Sequence, residues 1–347
     1  MTKPHHHCWM LWGLLGLALS HLTGAQPPTP QPTAPPATAE PRWRWRDFEI
    51  VGSTQTDPAA IRQAIPLPLG GAFPDDPEVW AAWCPGLAER FGLASLSCSP
   101  VLFLDGRAYL VVEVVEKEEA ERLQFGTAPL EDVALPESLV SLYTRLRERQ
   151  QDNFRQGRAN QEDVKQGYLD YSEPVMHGIA QELAAAVPPH RTTLLAALAQ
   201  DKDAEDRARA ATLLHWAPDK EGSIAAAHRY LADPSSLVRN DISRFLLFYL
   251  DQVKSRETLG SVIDALALQL SRPSHGDRNK ALYALESLLE GTPDLSPVVA
   301  QKAGPWILRI ARQSVLDNVG GVAKGLAERL KLETEVPTAR RDGPPSR

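Results

Sequence analysis

The chain has 347 residues, 43% of them hydrophobic and 7% aromatic, and a formal net charge of -7 at pH 7. This length leaves room for two compact domains after a leader and a tail are removed. The mild negative charge argues against a nucleic-acid-binding protein, which usually carries a basic face. The element pattern described below predicts an α+β protein, with a small α/β domain followed by an all-α region.

Residues 1–25 have the pattern of a secretory signal peptide. Lys3 supplies positive charge, residues 8–19 (CWMLWGLLGLAL) form a short apolar run, and residues 23–25 (TGA) suit cleavage after Ala25. The apolar run is shorter than the roughly 20 residues that a membrane-spanning helix needs. We therefore expect cleavage rather than an uncleaved anchor, and export as a soluble periplasmic or secreted protein without an integral membrane segment.

Two segments have compositions that disfavour packed structure. Residues 26–42 (QPPTPQPTAPPATAEPR) are rich in proline, which has no backbone donor and resists helix formation. They are predicted to form an extended tether. Residues 333–347 are polar and proline-rich and are predicted to be a disordered tail.

Residues 43–118 read as a small α/β domain. Alternating Trp and Arg at 43–46 suits the start of a strand, with Phe48 to Val51 as the first strand proper. Helices are predicted to open at Asp57-Pro58 and at Asp76-Pro77, the second carrying apolar residues through to Phe91. The dipeptide Asp105-Gly106 between two apolar runs predicts a β-hairpin.

This segment resembles a POTRA domain. The shared features are the opening FEIVG, the order strand, helix, helix, strand, strand, and a closing strand that ends in V-x-V-x-E at Val112, Val114 and Glu116. The resemblance implies a periplasmic docking module that works by adding a strand to a partner. Any other small α/β sandwich is the alternative.

Cys84 and Cys98 are the two cysteines that remain after the predicted leader is removed. In an oxidising compartment they are able to pair, and closing so short a loop is worth on the order of 3 kcal/mol. Two buried free thiols are the alternative.

Residues 119–171 are predicted to be a helical connector, with Leu139, Leu142, Tyr143 and Leu146 on the apolar side of one amphipathic helix. The acidic run from 113 to 121 is interpreted as a solvated strand end and linker.

Internal repetition is the strongest pattern in the C-terminal half. Each copy has an apolar helix, a short polar turn and a second apolar helix; the copies begin at Leu194, Ala227, Leu266 and Ile307. Arg207, Arg239 and Arg278 fall at the start of the second helix in three copies, and Asn318 takes that place in the fourth. One hairpin cannot bury its apolar face alone, so neighbouring hairpins are expected to stack. The predicted core residues are Leu213, Leu214, Phe245, Leu246, Leu285, Leu288 and Leu326.

Residues 172–332 resemble HEAT repeats, most clearly in the turn from Asp233 to Arg239 (DPSSLVR). Asp201 stands at the same offset before Arg207. The resemblance implies a HEAT-like α-solenoid in which such Asp and Arg residues form a ladder along the stack. It weakens in the last two copies, where Arg272 and Arg312 replace the aspartate, so we expect the ladder to be incomplete there.

The sequence offers no convergent chemistry. It has no G-x-S-x-G elbow, Gly-rich phosphate loop or H-E-x-x-H pair, and the histidines after the predicted leader are scattered at 177, 190, 215, 228 and 275. The acidic residues 201–206 lack the spacing of a calcium loop and suit a helix cap. We therefore predict no catalytic, metal or cofactor site.

The leading hypothesis is an exported scaffold that binds protein partners through its repeat surface and its POTRA-like domain. One alternative is a lyase-like or ligand-binding HEAT-repeat enzyme, since the repeats are also similar to those of bilin-lyase relatives. Another is an accessory factor of outer-membrane assembly, which the POTRA resemblance alone suggests.

Overall fold

The computed structural model describes residues 42–74 and 76–332. Two compact units divide these residues: one contains 42–122 and Ser141–Leu183, the other Leu123–Val140 and 184–332. The predicted leader, most of the tether and the tail lie outside the described residues. The α+β class is confirmed, with a small sheet near the N-terminus and a helical C-terminal region.

The first unit is built on a three-stranded sheet. Its strands are β1 (Arg44–Val51), β2 (Ser95–Leu102) and β3 (Arg107–Val115), in the order β1-β3-β2. β3 is parallel to β1 and antiparallel to β2. The predicted hairpin is confirmed, and the first strand begins at Arg44, inside the Trp-Arg alternation that indicates a strand start.

A β-bulge between Trp45 and Asp47 explains how this sheet fills its core. The bulge shifts the register of β1 against β3. An extra residue changes which face the following side chains occupy. Trp45 and Phe48, three residues apart, therefore both lie in one hydrophobic core with Leu110 and Val112.

Three short helices precede β2: α1 (Pro58–Ala64), α2 (Pro77–Ala81) and α3 (Leu87–Arg90). Asp57 caps α1 and Asp76 caps α2, as predicted. The prediction of a single long helix through Phe91 is wrong, because the helical backbone is interrupted at Pro85-Gly86. Proline disfavours helical backbone in the residue before it, and Gly86 has φ +76°.

The rest of this unit consists of α4, a hairpin and α5. The elements are α4 (Glu137–Arg155), β4 (Glu162–Lys165), β5 (Tyr168–Tyr171) and α5 (Pro174–Ala186). The first residues of α4 and the last residues of α5 belong to the second unit. The amphipathic helix is confirmed, with Leu139, Leu142 and Leu146 buried. The hairpin was not predicted; Gln166 and Gly167 turn it with φ values of 54° and 83°.

The second unit contains four successive helix pairs. Their ranges are α6 (Arg191–Gln200) with α7 (Ala204–Leu213), α8 (Lys220–Ala227) with α9 (Ser236–Tyr249), α10 (Arg256–Ser271) with α11 (His275–Gly291), and α12 (Ser296–Gln313) with α13 (Val322–Arg329). A short 3-10 helix, His228–Ala232, extends α8, and a π-helical turn, Asp317–Gly321, precedes α13.

Neighbouring pairs pack through corresponding helices. α7 contacts α9, α9 contacts α11 and α11 contacts α13, while α6 contacts α8 and α10 contacts α12. All seven predicted core leucine and phenylalanine residues are buried, at 1% exposure or less. Corresponding helices of successive pairs are therefore in contact, and apolar side chains of these helices are buried.

Candidate functional site

Polar side chains are buried at the inter-helix turns of the second unit, where the repeat pattern placed Arg and Asp. Arg207, near the start of α7, donates from Nε and Nη2 to the two carboxylate oxygens of Asp233, at 2.8 and 2.9 Å. Both side chains are 2% exposed. This bidentate salt bridge joins the first helix pair to the turn of the second helix pair.

The same guanidinium also binds the turn of its own pair. Nη1 of Arg207 donates to the carbonyl oxygens of Asp201 at 2.9 Å and Lys202 at 3.1 Å. These carbonyls follow the C-terminus of α6, where the helix dipole favours a positive charge. Arg207 therefore fixes the turn of its own pair and the turn of the next.

Arg239 repeats this arrangement one pair further along. Its Nε donates to Asp277 Oδ2 at 2.8 Å, and its Nη1 donates to the carbonyls of Asp233 and Pro234 at 2.8 and 3.0 Å. Burial raises the pKa of Asp277, and the guanidinium of Arg239 opposes that rise. We call the pairs Arg207–Asp233 and Arg239–Asp277 the ladder.

The predicted ladder residues are thus largely brought together. Arg278 makes the corresponding bond to its own turn, with Nη1 donating to the Arg272 carbonyl at 3.2 Å. Asp201 does not pair with Arg207 through its carboxylate; it contributes its carbonyl, while its carboxylate accepts from the amide of Asp203 at 2.8 Å. Asp277 was missed because it lies directly before Arg278 instead of at the aspartate offset of the earlier copies.

The cysteines lie in the first unit. The Cys84 and Cys98 sulfurs lie at disulfide-bonding distance, with their Cα atoms 6.2 Å apart. The bond would join the break between α2 and α3 to β2. Such a bond would link the short helices covalently to the sheet, and it would have a structural role and not a reactive one.

Two glutamates of the acidic run are buried, so its interpretation as solvated is wrong for them. Glu113 is 2% and Glu116 is 4% exposed. Glu116 Oε1 accepts from the backbone amides of Thr54, Gln55 and Thr56 at 3.0 to 3.2 Å. Burial alone would raise the pKa of Glu116, but these hydrogen bonds lower it. The glutamate of the V-x-V-x-E ending holds the loop after β1.

A buried aromatic cluster surrounds His215. The imidazole is fully buried, neither ring nitrogen has a hydrogen-bond partner, and the rings of Trp216, Phe245, Phe248 and Tyr249 lie within 6.0 Å of it. Burial, together with the charges of Arg244 and Lys220, holds the pKa of His215 well below its usual value. A neutral histidine here packs as an aromatic core residue.

Lys220 packs against the same aromatic cluster. Its Nζ donates to the carbonyls of Leu214, His215 and Ala217 at 3.1, 2.7 and 2.7 Å and lies 4.5 Å from the Tyr249 ring centre. Burial lowers the pKa of Lys220 to about 7. Since all three donor directions of the ammonium are used, this lysine is a clamp for the end of α7 and not an exposed nucleophile.

An Asp–His pair in the first unit is the nearest approach to catalytic geometry. His177 Nδ1 lies 2.7 Å from the buried Asp170 carboxylate, and its Nε2 lies 3.0 Å from the side chain of Gln181. Both ring nitrogens are therefore engaged within β5 and α5. Among the described residues, no three histidine, cysteine, aspartate or glutamate side chains are grouped so as to hold a metal ion.

Comparison of the chain with protein-family models, with curated proteins and with solved structures finds no match. None of the helices described between residues 42 and 332 is both long and apolar enough to cross a bilayer. The site is therefore interpreted from its own geometry: a row of buried ion pairs that connects successive helix pairs.

Proposed function

We propose that this protein is an exported, non-enzymatic scaffold that binds partner proteins through the layered helix pairs of its second unit and through its small sheet. The observation that carries the proposal is the ladder. Its buried arginines cross-link successive turns. Such an arrangement suits a rigid, extended surface on which a partner docks.

The helix pairs support the HEAT-like part of the proposal. Corresponding helices of neighbouring pairs pack together, and each ladder arginine bridges two turns. Exposed apolar side chains lie on this unit at Leu237 and Leu268, which are 37% and 47% exposed. These positions offer contact points for a protein partner without requiring a deep cavity.

The sheet supports the docking part. β2 lies at the edge of the order β1-β3-β2, and its backbone pairs with β3 on one side. The opposite edge is covered at its start, because Trp45 exchanges backbone hydrogen bonds with Gly70 and Gly71. Strand addition at β2 is therefore the docking mode we propose, as the POTRA resemblance implies.

Export is supported by the cysteines. A disulfide between Cys84 and Cys98 would persist in an oxidising compartment and would be reduced in most cytosols. The leader-like pattern of residues 1–25 gives the same localisation, periplasmic or secreted.

Site-specific photo-crosslinking in the native host tests the scaffold. A photoreactive amino acid replaces Leu268 or Leu237 in one set of variants, and Leu69, an apolar residue of the first unit that is 56% exposed, in the matched control. We expect discrete crosslinked proteins from the helical positions, distinct from those at Leu69. If both helical positions give only the unmodified chain while the variants accumulate normally, the scaffold proposal is wrong.

A further inference from the structure

The segment at residues 123–135 passes the turns of the helix pairs as irregular backbone with one β-bridge at Glu131, and we call it the strap. It follows the 3-10 helix Lys117–Leu123 and precedes α4. None of its side chains is fully buried, and Leu130 is 88% exposed. The strap is nevertheless attached to the turns of three successive helix pairs, which it meets in the reverse of their chain order.

The first attachment is an aromatic ring held between two guanidinium groups. The Cζ atoms of Arg239 and Arg272 lie 4.4 and 4.0 Å from the centre of the Phe125 ring. Arg272 also donates from Nη1 to the carbonyl of Gln124. Because Arg239 belongs to the ladder, the Phe125 ring packs directly on a ladder residue.

The second attachment is a close backbone approach. The amide of Gly126 donates to the carbonyl of Ala232 at 2.6 Å. A Cβ atom at Gly126 would lie 3.0 Å from that oxygen, which is tighter than ordinary contact. Glycine after the aromatic residue is what allows this approach.

The third attachment is a short backbone ladder at the first turn. Glu131 donates its amide to the Gln200 carbonyl at 3.1 Å and accepts from the Lys202 amide at 2.6 Å. Val133 donates its amide to Asp201 Oδ2 at 2.9 Å. Three of these contacts are made by the main chain of the strap, and one exposed ion pair, between Asp132 and Lys202 Nζ at 2.7 Å, adds a side-chain contact.

We propose that the edge formed by the first three turns is a binding site for an extended peptide that carries an aromatic residue followed by glycine, and that the strap occupies this site in cis. The proposal rests on the proposed function and names the partner's chemistry. One ring, one glycine, main-chain hydrogen bonds and one exposed carboxylate hold the strap on the site, so a separate peptide with that pattern would bind there too. The covalently attached strap has a high local concentration and therefore competes with such a partner.

The test opens the site in the full chain with the double substitution Phe125→Ala and Gly126→Val, which removes the ring and blocks the close approach. The probe is a fluorescent synthetic peptide of residues 123–135, and the matched control peptide has alanine in place of the phenylalanine. Fluorescence anisotropy is expected to show saturable binding to the opened chain, at least tenfold tighter than to the parent chain. The control peptide is expected to bind at least tenfold more weakly.

Hydrogen exchange of the strap, measured on the same samples, makes each outcome decisive. Fast exchange at Glu131 with no peptide binding overturns the proposal. Unchanged protection in the variant also overturns it, because the ring and the glycine would then not hold the strap. A dimer of the parent chain that dissociates when peptide is added would assign the edge to a second copy's strap instead. Failure of this test leaves the crosslinking test of the scaffold unaffected.

Discussion

Among single side chains, the buried arginines have a large expected effect on stability. Arg207 and Asp233 are both nearly inaccessible to solvent. Removing one partner from such a pair leaves a buried charge without its counter-charge, which costs about 3–5 kcal/mol. We therefore expect Arg207→Met to lower the free energy of unfolding by about 3 kcal/mol, measured by urea denaturation followed by helical circular dichroism.

The matched control for this prediction is Arg145→Met. Arg145 pairs with Glu182, but those side chains are 50% and 51% exposed. Exposed pairs contribute little to stability, because solvent screens the two charges. Equal losses in the two variants would show that the buried pair has no special role. A double variant, Arg207→Met with Asp233→Leu, should recover part of the loss because no charge is left unpaired.

His215 gives a prediction about pH. Its pKa is held well below the usual value in the folded chain, so below about pH 6.5 the unfolded chain binds a proton that the folded chain does not. Stability should therefore fall as pH drops from about 6.5 to 5, by up to about 1.4 kcal/mol per pH unit from this group. We expect His215→Phe to remove that part of the slope, measured by urea unfolding at each pH.

The charged groups near His215 do not account for the difference expected between the parent chain and the His215→Phe variant. Lys220, at the start of α8, and Arg244, on α9, both disfavour the imidazolium of His215. The pKa of Lys220, about 7 in the folded chain, lies below its usual value, so its own contribution changes above pH 7. Asp277 and other carboxyls are common to both proteins. An unchanged slope in the variant would show that His215 takes up a proton in the folded chain as easily as in the unfolded chain.

The residues that the sequence identified are those that recur at a constant offset. Arg207, Arg239, Arg278 and Asp233 were singled out from the repeat pattern, and their hydrogen bonds lie at the turns. Asp277 was missed because the third turn places its carboxylate at another offset. The contacts of Phe125 with Arg239 and Arg272 could not be predicted, because they join the strap to residues more than a hundred positions away.

At the element scale, the loop after β1 depends on Glu116. Four hydrogen bonds reach its carboxylate from residues 54–56. Hydrogen bonds to a charged group are worth about 1.5–3 kcal/mol each, and an amide keeps weaker ones. We expect Glu116→Gln to lower the free energy of unfolding by about 2 kcal/mol at pH 7, measured by thermal and urea unfolding.

The pH dependence of this loss checks its cause. The pKa of Glu116 is lowered in the folded chain, so its stabilisation is present above the unfolded pKa of about 4.3 and is lost as pH falls through the folded pKa. The difference between parent and variant should therefore shrink below about pH 4. Glu118→Gln is the control, since its exposed carboxylate has one long contact, 3.4 Å from Gln55 Nε2. A comparable loss in that control would contradict the prediction.

Local turn chemistry decided which elements were predictable. Asp105-Gly106 identified the hairpin between β2 and β3, because that dipeptide favours positive φ values. Gln166 and Gly167, both with positive φ, form the turn between β4 and β5, but glutamine carries no such preference. The helical spacing from Val79 to Phe91 suggested one helix, although Pro85 and Gly86 interrupt it. Periodicity identifies a buried face, but it does not show that the backbone is continuous.

At the scale of the whole molecule, the pairing of helices predicts how a local defect spreads through the second unit. Leu198 on α6 and Leu326 on α13 are each almost wholly buried, at 0% and 1% exposure. Replacing either by alanine should cost about 2–5 kcal/mol. Because neighbouring pairs share their core, the loss should be greatest in the mutated pair and decrease along the stack.

Hydrogen exchange followed by mass spectrometry measures this gradient. We expect Leu198→Ala to accelerate exchange most in α6 and α7, less in α9 and least in α13. Leu326→Ala should give the reverse order, and it is therefore the matched control. The ladder adds a second step to the test: with Arg239→Met in the background, the coupling between the second and third pairs should weaken, so the effect of Leu198→Ala should stop before α11. Uniform acceleration across all helices in every variant would mean that the unit opens as one cooperative body, and neighbour-by-neighbour stacking would then not account for its stability.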